Sequence, residues 1–411
     1  MIWFEEENGM RLTSKSKRVL GVVLVVALAF ALAACNGGGT TGGGEANDAE
    51  TIRVGLLGPY TGAVAHFGLA VREGALLYIE QRNAAGGING MQIEYFWFDD
   101  EHDPIRALTG YNWLLDQEVT AIIGGVTSGP TMAVVPQAFE DNMPMITASA
   151  THAGVTYDAE NGVVFTNMFR ACFIDPFQGE KMAEFARNVL EAETAAVIFN
   201  TGVDYSIGLQ EAFVARAAAI GLEVVTIEAY GVDAVDFTSQ LTNIAALNPD
   251  VLFIPDYFSI IALMAPQAIN AGVTATLLGA DGWDGVMDAM TDPSSLEGAF
   301  YMSGFSVEDD TPKVQDFITR FMERYGHEPN MFSAQGYDAA MILFAAIEHV
   351  ENTTDHVQGS DEYRTAVINA MAATNLTGVT GHITYDRFNN PIKTAVMVEI
   401  RDGLARFWGT F

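Results

Sequence analysis

Ile52-Arg53-Val54-Gly55-Leu56-Leu57-Gly58-Pro59 is a short apolar run rich in strand formers, closed by a glycine–proline turn. Residues 66–83 then change period: Phe67, Ala70, Val71, Leu76 and Ile79 recur at helical spacing. A turn cluster at 86–90 follows, and a second apolar run, 93–98, ends at Asp99-Asp100. Strand, helix, strand is the unit of a parallel sheet, because the connection must cross back over one face.

The pattern repeats along the chain. Residues 104–118, 130–141, 177–190, 206–221, 237–247 and 260–271 read as helices; 119–123, 144–147, 195–200, 223–229, 251–254 and 276–278 read as strands. These are too many units for one sheet of usual width, and 411 residues exceed one ordinary core. The expected fold class is therefore α/β, with two doubly wound parallel-sheet lobes. In such sheets ligands bind beyond the carboxyl ends of the strands. That singles out the loops 58–62, 124–129, 148–153, 200–205, 255–259 and 279–283.

The amino terminus reads as an address. Arg11, Lys15, Lys17 and Arg18 precede an apolar run at 19–32, and small residues lead to Cys35. Basic, apolar and small-residue regions in that order make a secretory signal peptide. The apolar run is shorter than the ~20 residues a membrane span needs. Three glutamates within residues 1–9 do not suit a signal peptide, so translation is expected to start at Met10 rather than Met1. After Cys35, the glycine-rich stretch 36–51 reads as a flexible tether, with a reach on the order of 20 Å.

Composition narrows the function. The formal net charge of −32 argues against nucleic-acid partners and fits an acidic, well-solvated surface. No Gly-x-Gly-x-x-Gly follows the first strand, no Walker-type Gly-x-x-x-x-Gly-Lys or His-Glu-x-x-His occurs, and the seven histidines are scattered. No enzyme, cofactor or metal site is expected. Cys172, in a context unlike that of Cys35, reads as a buried small hydrophobe rather than a nucleophile.

Several stretches together resemble the type I periplasmic binding proteins of the leucine/isoleucine/valine-binding family: 52–62, Ala84-Ala85-Gly86-Gly87-Ile88-Asn89-Gly90, Asp99-Asp100-Glu101-His102-Asp103-Pro104, Ile122-Ile123-Gly124-Gly125 and Gly279-Ala280-Asp281-Gly282. Leu32-Ala33-Ala34-Cys35 is likewise similar to the lipobox of bacterial lipoproteins, which implies diacylation of Cys35. The resemblance implies two lobes joined by three crossovers, near Ile174, Gly304 and Asn389. Lobe 1 would comprise 52–173 plus 304–388, and lobe 2 would comprise 174–303 plus 389–411. It also implies a monomeric, extracytoplasmic, lipid-anchored protein that closes on an amino acid, branched-chain or related aliphatic, and delivers it to an ABC permease. Other readings keep the fold with urea, a short amide, an aromatic acid or a peptide as ligand, or make the chain a sensory component.

A zwitterionic ligand needs hydrogen-bond donors for its carboxylate and an acid for its ammonium. Ser128 lies where a helix starts after a strand, and Ser149 and Thr151 follow the next strand. On pattern alone these are caps of a helix and a loop. The resemblance assigns them to the ligand carboxylate. Asp281, by pattern a turn-capping acid, is assigned to the ammonium, with Tyr205 and Tyr257 reaching into the cleft. Tyr60, Phe67, Trp283, Phe305 and Tyr337 are candidates for the side-chain pocket, or simply core. Two departures from the family stand out. His102 and Thr127 occupy places where several members have a disulfide, which implies a more mobile 124–129 loop. Aspartate at 281 is one methylene shorter than the glutamate also found there.

Overall fold

The computed structural model describes residues 51–411. The signal peptide, lipobox and most of the tether expected above lie outside the described residues.

The first sheet uses β1 (Ile52–Gly58), β2 (Ile93–Asp99), β3 (Ala121–Ile123) and β4 (Met145–Thr147), alternating with helices α1 (Ala65–Ala84), α2 (Pro104–Asp116) and α3 (Ser128–Glu140). A small hairpin, β5 (Tyr157–Asp158) and β6 (Val163–Val164), precedes the last strand of this sheet, β7 (Met168–Arg170). The order is β2-β1-β3-β4-β7, all pairs parallel. Order reverses at β1, so the loops after β1 and β3 diverge and leave a crevice between them.

The chain then enters a second sheet through α4 (Asp175–Asn188). Strands β8 (Thr194–Asn200), β9 (Glu223–Tyr230), β10 (Val251–Phe253), β11 (Thr276–Gly279) and β12 (Phe300–Ser303) alternate with α5 (Asp204–Ile220), α6 (Thr238–Leu247), α7 (Phe258–Ala271) and the one-turn α8 (Val286–Ala289). After β12 the chain returns to the first sheet as α9 (Pro312–Tyr325), α10 (Met331–Thr353) and α11 (Asp361–Ala372), followed by the hairpin β13 (Asn375–Gly378) and β14 (Gly381–Thr384). It ends back on the second sheet as β15 (Val396–Arg401) and β16 (Leu404–Thr410). That sheet has the order β16-β15-β12-β11-β10-β8-β9. Its last two strands run antiparallel, an edge hairpin that the sequence reading did not foresee.

The return of α10 onto α1 has a local cause. A Cβ added at Gly74 would lie 1.9 Å from the Ser333 carbonyl oxygen, and one at Gly336 would lie 2.2 Å from that of Val71. Two bare Cα positions thus let the helices approach backbone to backbone, and any side chain there would force them apart. The start of α10 is fixed by a capping box between Asn330 and Ser333. The third passage is held from the same helix: buried Asp338 accepts from the Val379 and Thr380 amides at 2.8 and 2.9 Å.

Candidate functional site

The carboxyl ends of the two sheets face each other across one small cavity. It is lined by Phe67, Val126, Thr127, Ser128, Ser149 and Phe332 from the first sheet and its helices, and by Tyr205, Tyr257, Asp281 and Gly282 from the second. The space open to the centre of a water molecule is about 10 Å³, room for roughly one water. Aromatic contacts join the walls: Phe67 meets Tyr257 at 5.5 Å and Phe258 at 5.2 Å between ring centroids. At the rim, His66 Nε2 lies 3.4 Å from Asp284 Oδ1, and the neighbouring acids hold its imidazole above the usual range despite burial.

The first wall offers donors. Helix α3 starts at Ser128, two residues earlier than Pro130, with Thr127 as an extended N-cap whose side chain makes no capping bond. The first amides of a helix have no intrahelical partner, and the dipole favours an anion there. Ser128 Oγ accepts from the His152 amide at 3.2 Å, which leaves its proton free to donate. Ser149 differs: its hydroxyl donates to the Val126 carbonyl at 2.7 Å, so it can only accept further. The Thr127 hydroxyl bonds His102 Nδ1 at 2.8 Å. This bond joins the 124–129 loop to the segment that follows β2. Burial holds His102 below the usual imidazole range, which favours the neutral ring in this bond.

Beneath this wall lies Arg170, fully buried. Its Nη1 donates to the Ala150 carbonyl at 2.8 Å, and both Nη atoms reach the His152 carbonyl at 3.2 Å. The guanidinium thereby fixes the loop that carries Ser149.

The second wall offers one acid held by neighbours. Asp281 is 2% exposed. Its Oδ1 accepts from Tyr205 Oη at 2.8 Å and from Gln178 Nε2 at 3.0 Å; among the described residues no side chain bonds Oδ2. Tyr205 Oη also accepts from the Gly282 amide at 2.8 Å. Burial pushes the Asp281 carboxyl up to about 6, against the lowering effect of the Tyr205 and Gln178 bonds. The Tyr205 and Tyr257 rings stack at 4.9 Å with planes 10° apart, forming an apolar floor.

The cavity gathers Phe67, Ser128, Ser149, Tyr205, Tyr257 and Asp281 from the sequence-based candidates. The others sit elsewhere. Thr151 is absent from the lining; its hydroxyl is buried beside the Asp175 carboxyl. Burial holds Asp175 well above the usual carboxylate range. Trp283 is core: its Nε1 donates to the Ile254 carbonyl at 2.9 Å, and its ring fills the space beside Gly279. Tyr60 packs edge-on to Trp97 under Arg72, and Phe305 packs on Phe317. Tyr337 Oη donates to Gln81 Oε1 on α1. Cys172 is fully buried, its thiol pushed up to about 12 by desolvation, which makes it a poor nucleophile.

Sequence reasoning missed Gln178, Phe332 and Arg170, whose roles depend on tertiary contacts. Roomier cavities lie elsewhere: about 550 Å³ beside residues 304–310 and 379–396, about 650 Å³ where Met132 and His152 face Asp175 and Glu211, about 630 Å³ beside residues 236–243, and about 800 Å³ beside Thr51, Glu118 and Glu351. None of them is lined by Ser128 or Asp281. Among the described residues no cluster of three His, Cys, Asp or Glu could hold a metal, and no helix is long and apolar enough to cross a membrane.

Comparison with known proteins agrees with this geometry. The chain is 27% identical over 300 residues to the leucine-, isoleucine-, valine-, threonine- and alanine-binding protein of Pseudomonas aeruginosa, covering 73% of this chain and 79% of that one. A leucine-binding protein from Thermotoga maritima superposes with a TM-score of 0.79 at 29% identity, covering 88% of this chain and 99% of the other. An ABC-transporter solute-binding protein of R. palustris, solved with benzoate, gives 0.75 at 26% identity over 88% and 96%. Residues 51–404 match the family described as periplasmic binding protein. With two α/β sheets meeting at one cavity on their carboxyl edges, the chain belongs to the periplasmic binding protein family, a family of solute-binding proteins.

Proposed function

We propose that this protein captures an aliphatic amino acid, branched-chain or of similar size, between lobes 52–173 plus 304–388 and 174–303 plus 389–411, and hands it to an ABC importer. The observation that carries the reading is the polarity of the cavity at the carboxyl ends of the two sheets. A helix amino terminus with a free Ser128 proton faces a buried carboxylate whose Oδ2 takes no side-chain bond. Those are the complements of a ligand carboxylate and a ligand ammonium. Phe67, Phe332, Tyr205 and Tyr257 supply apolar surface for an alkyl side chain.

The cavity is too small for an amino acid as it stands, so capture requires the walls to part and close again. A ligand held at both ends stabilises the closed arrangement because only there are both ends satisfied. Nothing in the arrangement of donors and acid calls for catalysis, and the role is binding. Localisation follows the same reading: an extracytoplasmic monomer, anchored through acylated Cys35 and a glycine-rich tether. Two acyl chains hold a protein at a membrane far better than one.

A second reading is favoured by the benzoate-bound relative: an aromatic acid as ligand, with the carboxylate on the first wall and no ammonium. Calorimetric titration with L-leucine, L-isoleucine, L-valine, L-alanine, L-threonine, benzoate and urea separates the two. Binding of aliphatic amino acids and silence from benzoate and urea is the expected result. Heat from benzoate alone would replace the amino-acid reading with the aromatic-acid one.

A further inference from the structure

We infer that Gln178 is a positioning residue for the ammonium acceptor: its side-chain amide grips both the carboxylate and the backbone of Asp281 and turns Oδ2 toward the cavity. This rests on the proposed capture of an amino acid and adds a residue that sequence motifs did not single out.

The geometry is a closed two-point clamp. Gln178 Nε2 donates to Asp281 Oδ1 at 3.0 Å, and the Asp281 amide donates to Gln178 Oε1 at 3.0 Å. Both residues are buried, Gln178 completely. A buried amide with each end committed to the same partner fixes its orientation as well as that of the partner. Tyr205 adds a bond to the same oxygen, Oδ1. With Oδ1 occupied twice, the carboxylate plane is set and Oδ2 remains as the acceptor for a ligand cation. A short aspartate needs such support more than a glutamate would, because the backbone grip also sets how far the carboxylate reaches.

Gln178 is also placed to carry hinge position to the site. It lies in the first turn of α4, where its amide donates to the Ile174 carbonyl at 3.1 Å, and α4 is the first element after the chain leaves the first sheet. The other ionisable groups near Asp281 are Asp284, Asp175, Tyr205, Tyr257 and Cys172. Among Asp281's neighbours, the Gln178 side chain is the uncharged, non-titrating donor to its carboxylate.

The test uses Gln178→Met, which keeps length and removes both bonds. Carboxyl carbon NMR on aspartate-labelled protein, with the Asp281 signal assigned by its loss in Asp281→Asn, follows the titration of that group. The expected result is a rise in the Asp281 midpoint of about one pH unit. L-leucine affinity at pH 8 should fall about tenfold, with little change for the amine-free analogue 4-methylpentanoate. Gln178→Glu is the second variant. Two carboxyls in contact cannot both ionise freely, so the Asp281 titration should split into two coupled steps. An unshifted, single Asp281 midpoint in either folded variant would overturn the assignment. Failure of the wild type to bind L-leucine would count against the proposed function, while the midpoint would still decide the role of Gln178.

Discussion

On the proposed reading, the two walls of the cavity would hold a ligand in opposite ways. The first wall presents backbone: the bare start of α3, one serine proton, and a loop pinned from below by Arg170. The second presents a single buried acid, Asp281, whose Oδ1 accepts from both Tyr205 and Gln178. Several amides would share the load on one side, and one carboxylate would carry it on the other. Loss of a single group should therefore be tolerated on the first wall and severe on the second.

The largest effect that can break this asymmetry is expected from Asp281→Asn. Removing one partner of a desolvated charge pair typically costs about 2–5 kcal/mol. L-leucine affinity should drop on the order of a hundredfold by calorimetry, and 4-methylpentanoate should bind variant and wild type alike. Equal losses for both ligands would show that Asp281 shapes the wall rather than reads the amine. Next is pH. A ligand ammonium needs Asp281 ionised, and its carboxyl is raised to about 6 by burial. Affinity should be level above that value and fall with decreasing pH below it, by up to about tenfold per unit. Bound ammonium favours the ionised form, so binding below pH 6 should release a proton, measurable by calorimetry in buffers of different ionisation enthalpy. The smallest effect is expected from Ser128→Ala, about tenfold or less, since the helix amides remain. A loss from Ser128→Ala as large as that from Asp281→Asn would erase the contrast between the walls.

Much of the frame was legible because it is local. Apolar period located the alternation of strands and helices over 52–147 and 177–278, with boundaries within a few residues, and missed the short strands β5, β6 and β7 between them. It placed Ser128, Ser149, Tyr205, Tyr257 and Asp281 at strand ends where doubly wound sheets bind ligands. What could not be read depends on contacts between distant segments. The return of α10 to α1 rests on Gly74 and Gly336 meeting a partner backbone more than 250 positions away in sequence. Residues 396–410 add an antiparallel edge to an otherwise parallel sheet. Trp283, Tyr60 and Phe305 follow strand ends as site residues do, and yet packing claims them for the interior and the rim. Gln178 looks like any residue in the first turn of a helix until Asp281, 103 positions later, closes on it.

The most direct measurement is a crystal structure of the protein grown with L-leucine. The account predicts the ammonium within about 3 Å of Asp281 Oδ2 and the carboxylate at the start of α3 with the Ser128 hydroxyl. A leucine bound with its ends reversed, or seated in one of the larger cavities, would contradict it.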